Sequence, residues 1–325
     1  MFSEPLERRA LLSAFYSITD LGTLGGDGVV PNDINIKGWI VGWAKVANGD
    51  DHAFVWLRKA GIRDLNVPSW DGILSNNPST DGPSFALAIN DHGSIAIKSA
   101  AQYSAFGVAQ TFVYSHGVLS KISSPSHSTS PVDINNRGDI LMQGADETMM
   151  AATVIVKEGN AQARPIVEGI ARAINDHGMI IAYPDYENAS ISPQDKARLL
   201  PDAFALSDHA VVLHRYNHHQ YSLIVQHGRS RQRFVEKSVN VWPEQINNHA
   251  VFVGSAAVTH SGTTTHYVVV RDGNILRDLN SLIPRNSGWE ILSAHAINDK
   301  GQIAGEGLHN GKNREIGRAS CRERV

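Results

Sequence analysis

The sequence predicts an all-β protein, a β-propeller of six four-stranded antiparallel blades, with seven as the alternative count. Three observations predict it. The hexapeptide AINDHG occurs twice, at residues 88–93 and 173–178. Relaxed to an apolar residue, Ile, Asn and a small residue soon after, the motif recurs as DINIKG (33–38), DINNRG (133–138), QINNHA (245–250) and AINDKG (296–301). Each copy is followed by the same order of β-rich text. The six copies between Ile34 and Ile297 have a mean period of about 53 residues, or about 44 if the degenerate ALSDHAVVL (205–213) is a seventh; both fit propeller blades.

The elements follow in order within each unit. Asn and Asp accept backbone hydrogen bonds in tight turns, and Gly supplies the positive φ that other residues resist. The motif is therefore a hairpin corner between strands one and two, with its Ile directed into the packing between blades. Strand two is the text after the corner, GWIVGWA, GSIAIKSA or GQIAGEG. Strand three is HAFVW (52–56), paralleled by QTFVY (110–114), ATVIV (152–156), YSLIV (221–225) and HYVVV (266–270). A Gly-bearing turn leads to strand four, IRDLN (62–66), LSKIS (119–123) or LRDLN (276–280). Four short strands with tight turns make one blade.

The two chain ends predict the closure. SITDLG (17–22) has the text of a fourth strand, yet no blade precedes it, while the last unit supplies strands one and two. Ser17–Leu21 is thus expected in the sheet of 294–305, closing a last, truncated blade. Residues 316–325, starting within the codon of Glu315, resemble the translation of a common sequencing-library adapter. They are expected to fill the third-strand slot loosely or not at all. The division that follows is an N-terminal extension over 1–15, the propeller over 16–314 and a tail over 315–325.

At these residues the chain resembles the HAF-repeat family of bacterial extracellular repeat proteins. The resemblance is carried by YSITDLGTLGG (16–26), DINIKGWIVGWA, HAFVWLRKAGIRDLN, DLNSLIPRNSGW (278–289) and AHAINDKGQIAGEG. The end units match well and the middle ones weakly. The resemblance implies a propeller-like fold and secretion to the periplasm or cell exterior; it implies no activity. The chain departs from the family in lacking a clear signal peptide and in breaking off before the closing AFLL-type strand expected after Arg314.

Composition and motifs bound the chemistry. The chain is 325 residues long with net charge −3 and no basic stripe, which argues against nucleic-acid binding. No apolar run reaches the ~20 residues of a membrane-spanning helix. The one cysteine, Cys321, lies in the adapter-like tail, so disulfides and thiolate metal sites are excluded from the rest. No P-loop, dinucleotide fingerprint or G-x-S-x-G is present. Of fifteen histidines, most fall in turn slots or at strand starts, and the cluster HRYNHH (214–219) lacks a carboxylate at ligand spacing. The Arg-Gly-Asp triplet at 137–139 falls in step with the repeat. No catalytic, cofactor or metal residue is therefore assigned. One segment interrupts the repeat, YPDYENASISPQDKARLLPD (183–202), and insertions on repeat scaffolds often bind. Its Tyr183, Asp185, Tyr186 and Glu187 are the candidate ligand residues.

The expected protein is a monomeric, non-enzymatic binding or scaffold module of an exported bacterial protein, holding a polymer or protein ligand. The alternatives are a carbohydrate-active propeller enzyme, which would need carboxylates converging on the central channel, and a surface protein that self-associates through blade edges.

Overall fold

The computed structural model describes residues 16–68, 83–100, 109–122, 129–145, 151–156, 164–184, 203–217, 220–227, 230–234, 239–260, 262–273 and 275–321. They form twenty-five strands and one 3-10 turn, and every named strand pairing is antiparallel.

Strand β1 (Tyr16–Asp20) stands apart from its sequence neighbours. Blade 1 is β2 (Gly25–Ile34), β3 (Ile40–Val46), β4 (Asp51–Leu57) and β5 (Gly61–Asp64), paired in that order. Blade 2 repeats it with β6 (Ser84–Ile89), β7 (Ile95–Ala100), β8 (Ala109–Ser115) and β9 (Val118–Lys121). Blade 3 is β10 (Thr129–Ile134), β11 (Ile140–Ala145), β12 (Ala151–Val156) and the first half of β13 (Arg164–Ile174). The same strand then becomes the inner strand of blade 4, where its residues 169–174 pair with β14 (Ile180–Pro184). Blade 5 holds β15 (Ala203–Leu206), β16 (Ala210–Asn217), β17 (Gln220–His227) and β18 (Ser230–Phe234). Blade 6 holds β19 (Val239–Ile246), β20 (Phe252–His260), β21 (Thr263–Asp272) and β22 (Ile275–Asp278), followed by the 3-10 turn Leu279–Leu282. Blade 7 is β23 (Trp289–Ile297), β24 (Ile303–His309), β25 (Lys312–Cys321) and, on its outer edge, β1.

The count resolves to seven, the alternative to six. The seventh inner corner is the degenerate ALSDH, where β15 turns into β16. It was hard to see because Leu206 and Ser207 replace Ile and Asn. The closure follows the expected order, with β1 completing the last blade. The tail behaves differently from the expectation of a loose or empty slot. β25 includes Ile316–Cys321 and pairs on both sides, Gly305 opposite Ile316 and Tyr16 opposite Cys321.

Packing explains the repeat's Ile. All six are buried, at 2–5% exposure. Each sits in the seam with the preceding blade: Ile34 with Ala296 and Ala304 of blade 7, Ile89 with Val41 and Val55 of blade 1, Ile297 with Val253 and Val268 of blade 6. The core is thus a ring of seams rather than one central mass. Each large seam residue contributes about 1.5–3 kcal/mol.

All seven inner strands carry a β-bulge at one place, two residues before the corner Ile or its equivalent Leu206. A bulge bends the strand and sets adjacent side chains on one side. The bend brings backbone close to the partner strand: a Cβ on Gly42 would collide with the Val30 carbonyl oxygen, and Gly254 and Gly305 face the same approach from the carbonyls of Trp242 and Ser293.

Candidate functional site

The corners meet around the axis, where two layers of hydrogen bonds tie each blade to the next. In the first, the corner Asn is buried, at 2–8% exposure. Its side-chain oxygen accepts from its own turn: Asn90 Oδ1 takes the backbone N–H of His92, Gly93 and Ser94. Its Nδ2 donates to the corner carbonyl of the following blade. The links run Asn35 to Asn90, 3.1 Å, Asn90 to Asn135, 3.0 Å, Asn135 to Asn175, 3.0 Å, and Asn175 to Ser207, 3.1 Å. Ser207 Oγ reaches Asn247 at 3.2 Å, Asn247 reaches Asn298 at 3.0 Å, and Asn298 returns to Asn35 at 2.8 Å. Seven links close the circle.

The second layer uses the next residue. Backbone N–H groups of Ile36, Asp91, Asn136, Asp176 and Asn248 donate to the side chains of Asp91, Asn136, Asp176, Asp208 and Asp299, at 2.6–2.8 Å. His209 N–H donates to Asn248 Oδ1, 3.2 Å. This layer is open at the seam between blades 7 and 1, because Ile36 offers no acceptor.

Before the corner Ile, or its equivalent Leu206, four blades carry alanine, Ala88, Ala173, Ala205 and Ala296, and three carry a polar side chain that lines the channel, Asp33, Asp133 and Gln245. Asp33 accepts from the N–H of Ile34 and of Ile89 in the next blade, and from Gln245 Nε2 at 3.1 Å. Asp133 accepts from Ile134 and Ile174, both 2.8 Å. Gln245 Oε1 accepts from Ile297. Burial in this narrow space raises both carboxyl pKa values, opposed by the amide hydrogen bonds. That of Asp133 is pushed up to about 7, with Asp33 across the channel adding repulsion. Asp208 is also raised, by burial and by the neighbouring Asp176. Corners and carboxylates together line a cavity of about 160 Å³.

Further down the channel the character changes. At the bulge, Arg172 of blade 4 meets Glu244 of blade 6 at 3.6 Å, past the intervening blade. Two residues before the bulged position stand the exposed side chains of Ile170 and Trp242, with Leu292 near the same level in blade 7. Ser293 Oγ lies 2.9 Å and Glu306 Oε1 3.3 Å from His295. Both contact Nε2, so the imidazole does not bridge them in the manner of a nucleophilic triad, where acid and nucleophile use opposite ring nitrogens.

One of the four candidate ligand residues read from the insertion lies on a described strand. Tyr183 has its backbone in β14, opposite Ile170. Asp185, Tyr186 and Glu187 lie outside the described residues. Two carboxylates do converge on the channel, Asp33 and Asp133, from the slot before Ile. The variation of that slot between Asp, Ala and Gln was the signal that could have found them. The Arg-Gly-Asp triplet is folded into its own corner, where Arg137 pairs with the buried Asp139 at 3.0 Å. His52 serves its blade, with Nδ1 2.6 Å from Asp64, so the His of HAFVW clasps the Asp of IRDLN. Among the described residues no three His, Cys, Asp or Glu side chains are placed to hold a metal. Among them, too, no helix is long and apolar enough to cross a membrane.

No family model and no curated protein matches the chain. Solved structures do. The β-propeller domain of the Trilobed protease from Pyrococcus furiosus, described as having an open velcro topology, is 11% identical over 90% of this chain and 79% of that one, TM-score 0.38. TolB from Acinetobacter baumannii is 10% identical over 92% and 65%, TM-score 0.40. A Mycobacterium tuberculosis puromycin-hydrolyzing peptidase is 11% identical over 98% and 58%, TM-score 0.49. The chain spans less than two thirds of the latter two. The protein is a β-propeller on its own strand order and its closed ring of corners.

Proposed function

We propose that the protein is a non-enzymatic binding or scaffold propeller of the HAF-repeat type, exported from a bacterial cell, that holds a polymer or protein partner. One observation carries the reading: the Asn and Asp side chains that recur in the corners are used to tie blade to blade. A motif repeated around the whole circle, with its polar atoms directed at neighbouring backbone, is architecture. It yields a stiff disc whose two faces are free to vary, the arrangement that favours binding through surface residues on a rigid scaffold.

A second reading has a specific observation behind it. Asp33 and Asp133 face one channel, and burial raises both carboxyls, the kind of environment that keeps a general acid protonated in glycoside cleavage. Against it, both carboxyls are enclosed and each accepts backbone amides on both oxygens. The test is incubation of the full chain with neutral and acidic polysaccharides, following both binding and new reducing ends. Binding without cleavage is expected. Cleavage that vanishes in Asp33→Asn or Asp133→Asn would establish the enzyme instead.

A further inference from the structure

The second residue after the corner Asn, or after its equivalent Ser207, carries a regularity that the turn does not demand. From blade 1 to blade 7 it is Lys37, His92, Arg137, His177, His209, His249 and Lys300. All seven are exposed. The chain has 29 Lys and Arg and 15 His in 325 residues, so filling seven equivalent slots out of seven is not a matter of composition. Corner geometry explains the Asn before the slot and the Gly after it. It places no demand on the side chain between them, which points to solvent. The result is a crown of basic side chains around one mouth of the channel.

The crown is uneven. Inside it, Asp91, Asp176 and Asp208 oppose it through blades 2, 4 and 5. There His177 Nδ1 lies 3.8 Å from Asp208, and the His177 and His209 rings meet edge to face. In blade 3, Arg137 is turned back to Asp139. Blades 6, 7 and 1 differ. Their inner positions are Asn248, Asp299 and Ile36, so a single carboxylate stands against His249, Lys300 and Lys37. That carboxylate is held on both oxygens by Asn248, at 2.8 and 2.9 Å. The seam where the second layer is open is therefore also the most cationic sector of the face. Lys37 donates to the His92 carbonyl at 3.2 Å, over the Trp39 ring, which fixes its ammonium at the rim.

We propose that this sector of the corner face docks an acidic polysaccharide, whose carboxylate or sulfate groups lie across blades 6, 7 and 1. The inference rests on the binding-module reading above and narrows it to a ligand class and a place. A line of separated anions suits a crown of separated cations, because charge-assisted contacts form one at a time along both. The inner carboxylates keep the polymer off the axis and direct it along the rim. Nucleic acid fits less well: its single strands are held by stacking on exposed aromatic faces. The exposed large apolar side chains among the described residues, Val118, Ile170, Trp242, Tyr267, Ile275 and Leu292, are all away from the corners. The same placement leaves a membrane without an apolar anchor.

The experiment measures binding of the full chain to a polygalacturonate oligomer, neutral dextran and duplex DNA in low salt at about pH 5.5, where histidine carries charge. The parent is compared with the triple variant Lys37→Gln, His249→Gln, Lys300→Gln and with Trp242→Ala. The parent is expected to bind polygalacturonate and not dextran, with affinity that falls as salt is added. The triple variant is expected to lose about tenfold or more while keeping its melting temperature, and Trp242→Ala is expected to bind as the parent does. No binding of polygalacturonate, equal binding by the triple variant, or equal or tighter binding of DNA overturns the proposal. Polymer binding lost in Trp242→Ala and kept in the triple variant also overturns it, while leaving the binding-module reading intact.

Discussion

Ala250 sits where the other complete corners have Gly, with φ of +61°. A Cβ in this left-handed region costs about 1–2 kcal/mol, of which glycine's greater freedom when unfolded returns part. Ala250→Gly is therefore expected to stabilise by about 0.5–1 kcal/mol, readable by urea denaturation. Asp133 gives a second effect. Its carboxyl titrates near 7 when folded against 3.8 when free, so the folded state holds a proton that the unfolded state has released. The group's contribution is fully present below the lower value and is lost as pH rises through the upper one. Between them the parent should lose up to about 1.4 kcal/mol per pH unit relative to Asp133→Asn, a difference in slope seen in melting curves across that range. A parallel pair of profiles would remove Asp133 as the source. At this scale the sequence was half legible. The turn role of the corner Asn follows from its chemistry and the nearby Gly. Its amide's reach to the next blade does not, because the acceptor lies about one repeat away and is a carbonyl that any residue would supply.

The blade is the unit at which the repeat was best legible, since strand text and turn text alternate in it four times. What escaped was the bulge of every inner strand, which has no residue signature of its own: Asn32, Leu87, Val132, Arg172, Phe204, Glu244 and His295 occupy it. Its trace is on the partner strand, at the Gly of VGWA, VGSA and AGEG. Gly42→Ala should force backbone apart and cost about 2–4 kcal/mol, the range of severe core changes. A variant as stable as the parent would mean that the inner strand can relax away from β3. The corner is the other device of the element. Asn90→Ala strips the His92 and Ser94 N–H groups of their acceptor, Gly93 keeping the backbone carbonyl of residue 90, and cuts one link to blade 3. Unsatisfied groups cost about 1–3 kcal/mol each when buried, so a loss of about 2 kcal/mol or more is expected by denaturation. The insertion at 183–202 was legible as a break in the text. Its loop character falls outside the described residues beyond Pro184.

Across the molecule, stability is distributed over seams that form a loop without a beginning. Closing the loop depends on β1, which buries Tyr16 while the following Leu21 enters the seam between blades 7 and 1. Deleting residues 1–22 removes both. At about 1.5–3 kcal/mol each, the loss is about 3–6 kcal/mol, enough to lower the melting temperature clearly and to expose the edge of β25. An unchanged melting temperature would show that the last blade closes without the N-terminal strand. Closure was legible because SITDLG carries fourth-strand text with no blade before it. The blade count was not fixed, because one corner had exchanged both of its signature residues and kept only its hydrogen-bonding geometry. The closure has a bearing on how such a disc can be joined to other things. Tyr16 lies opposite Cys321, so the first and the last described strands meet in one blade. A propeller whose first and last strands are neighbours can be spliced into an exposed loop of another protein as a parenthesis is set into a sentence, with the text on either side undisturbed. It can equally be reopened at a different blade, its old ends fused, and still present the same two faces.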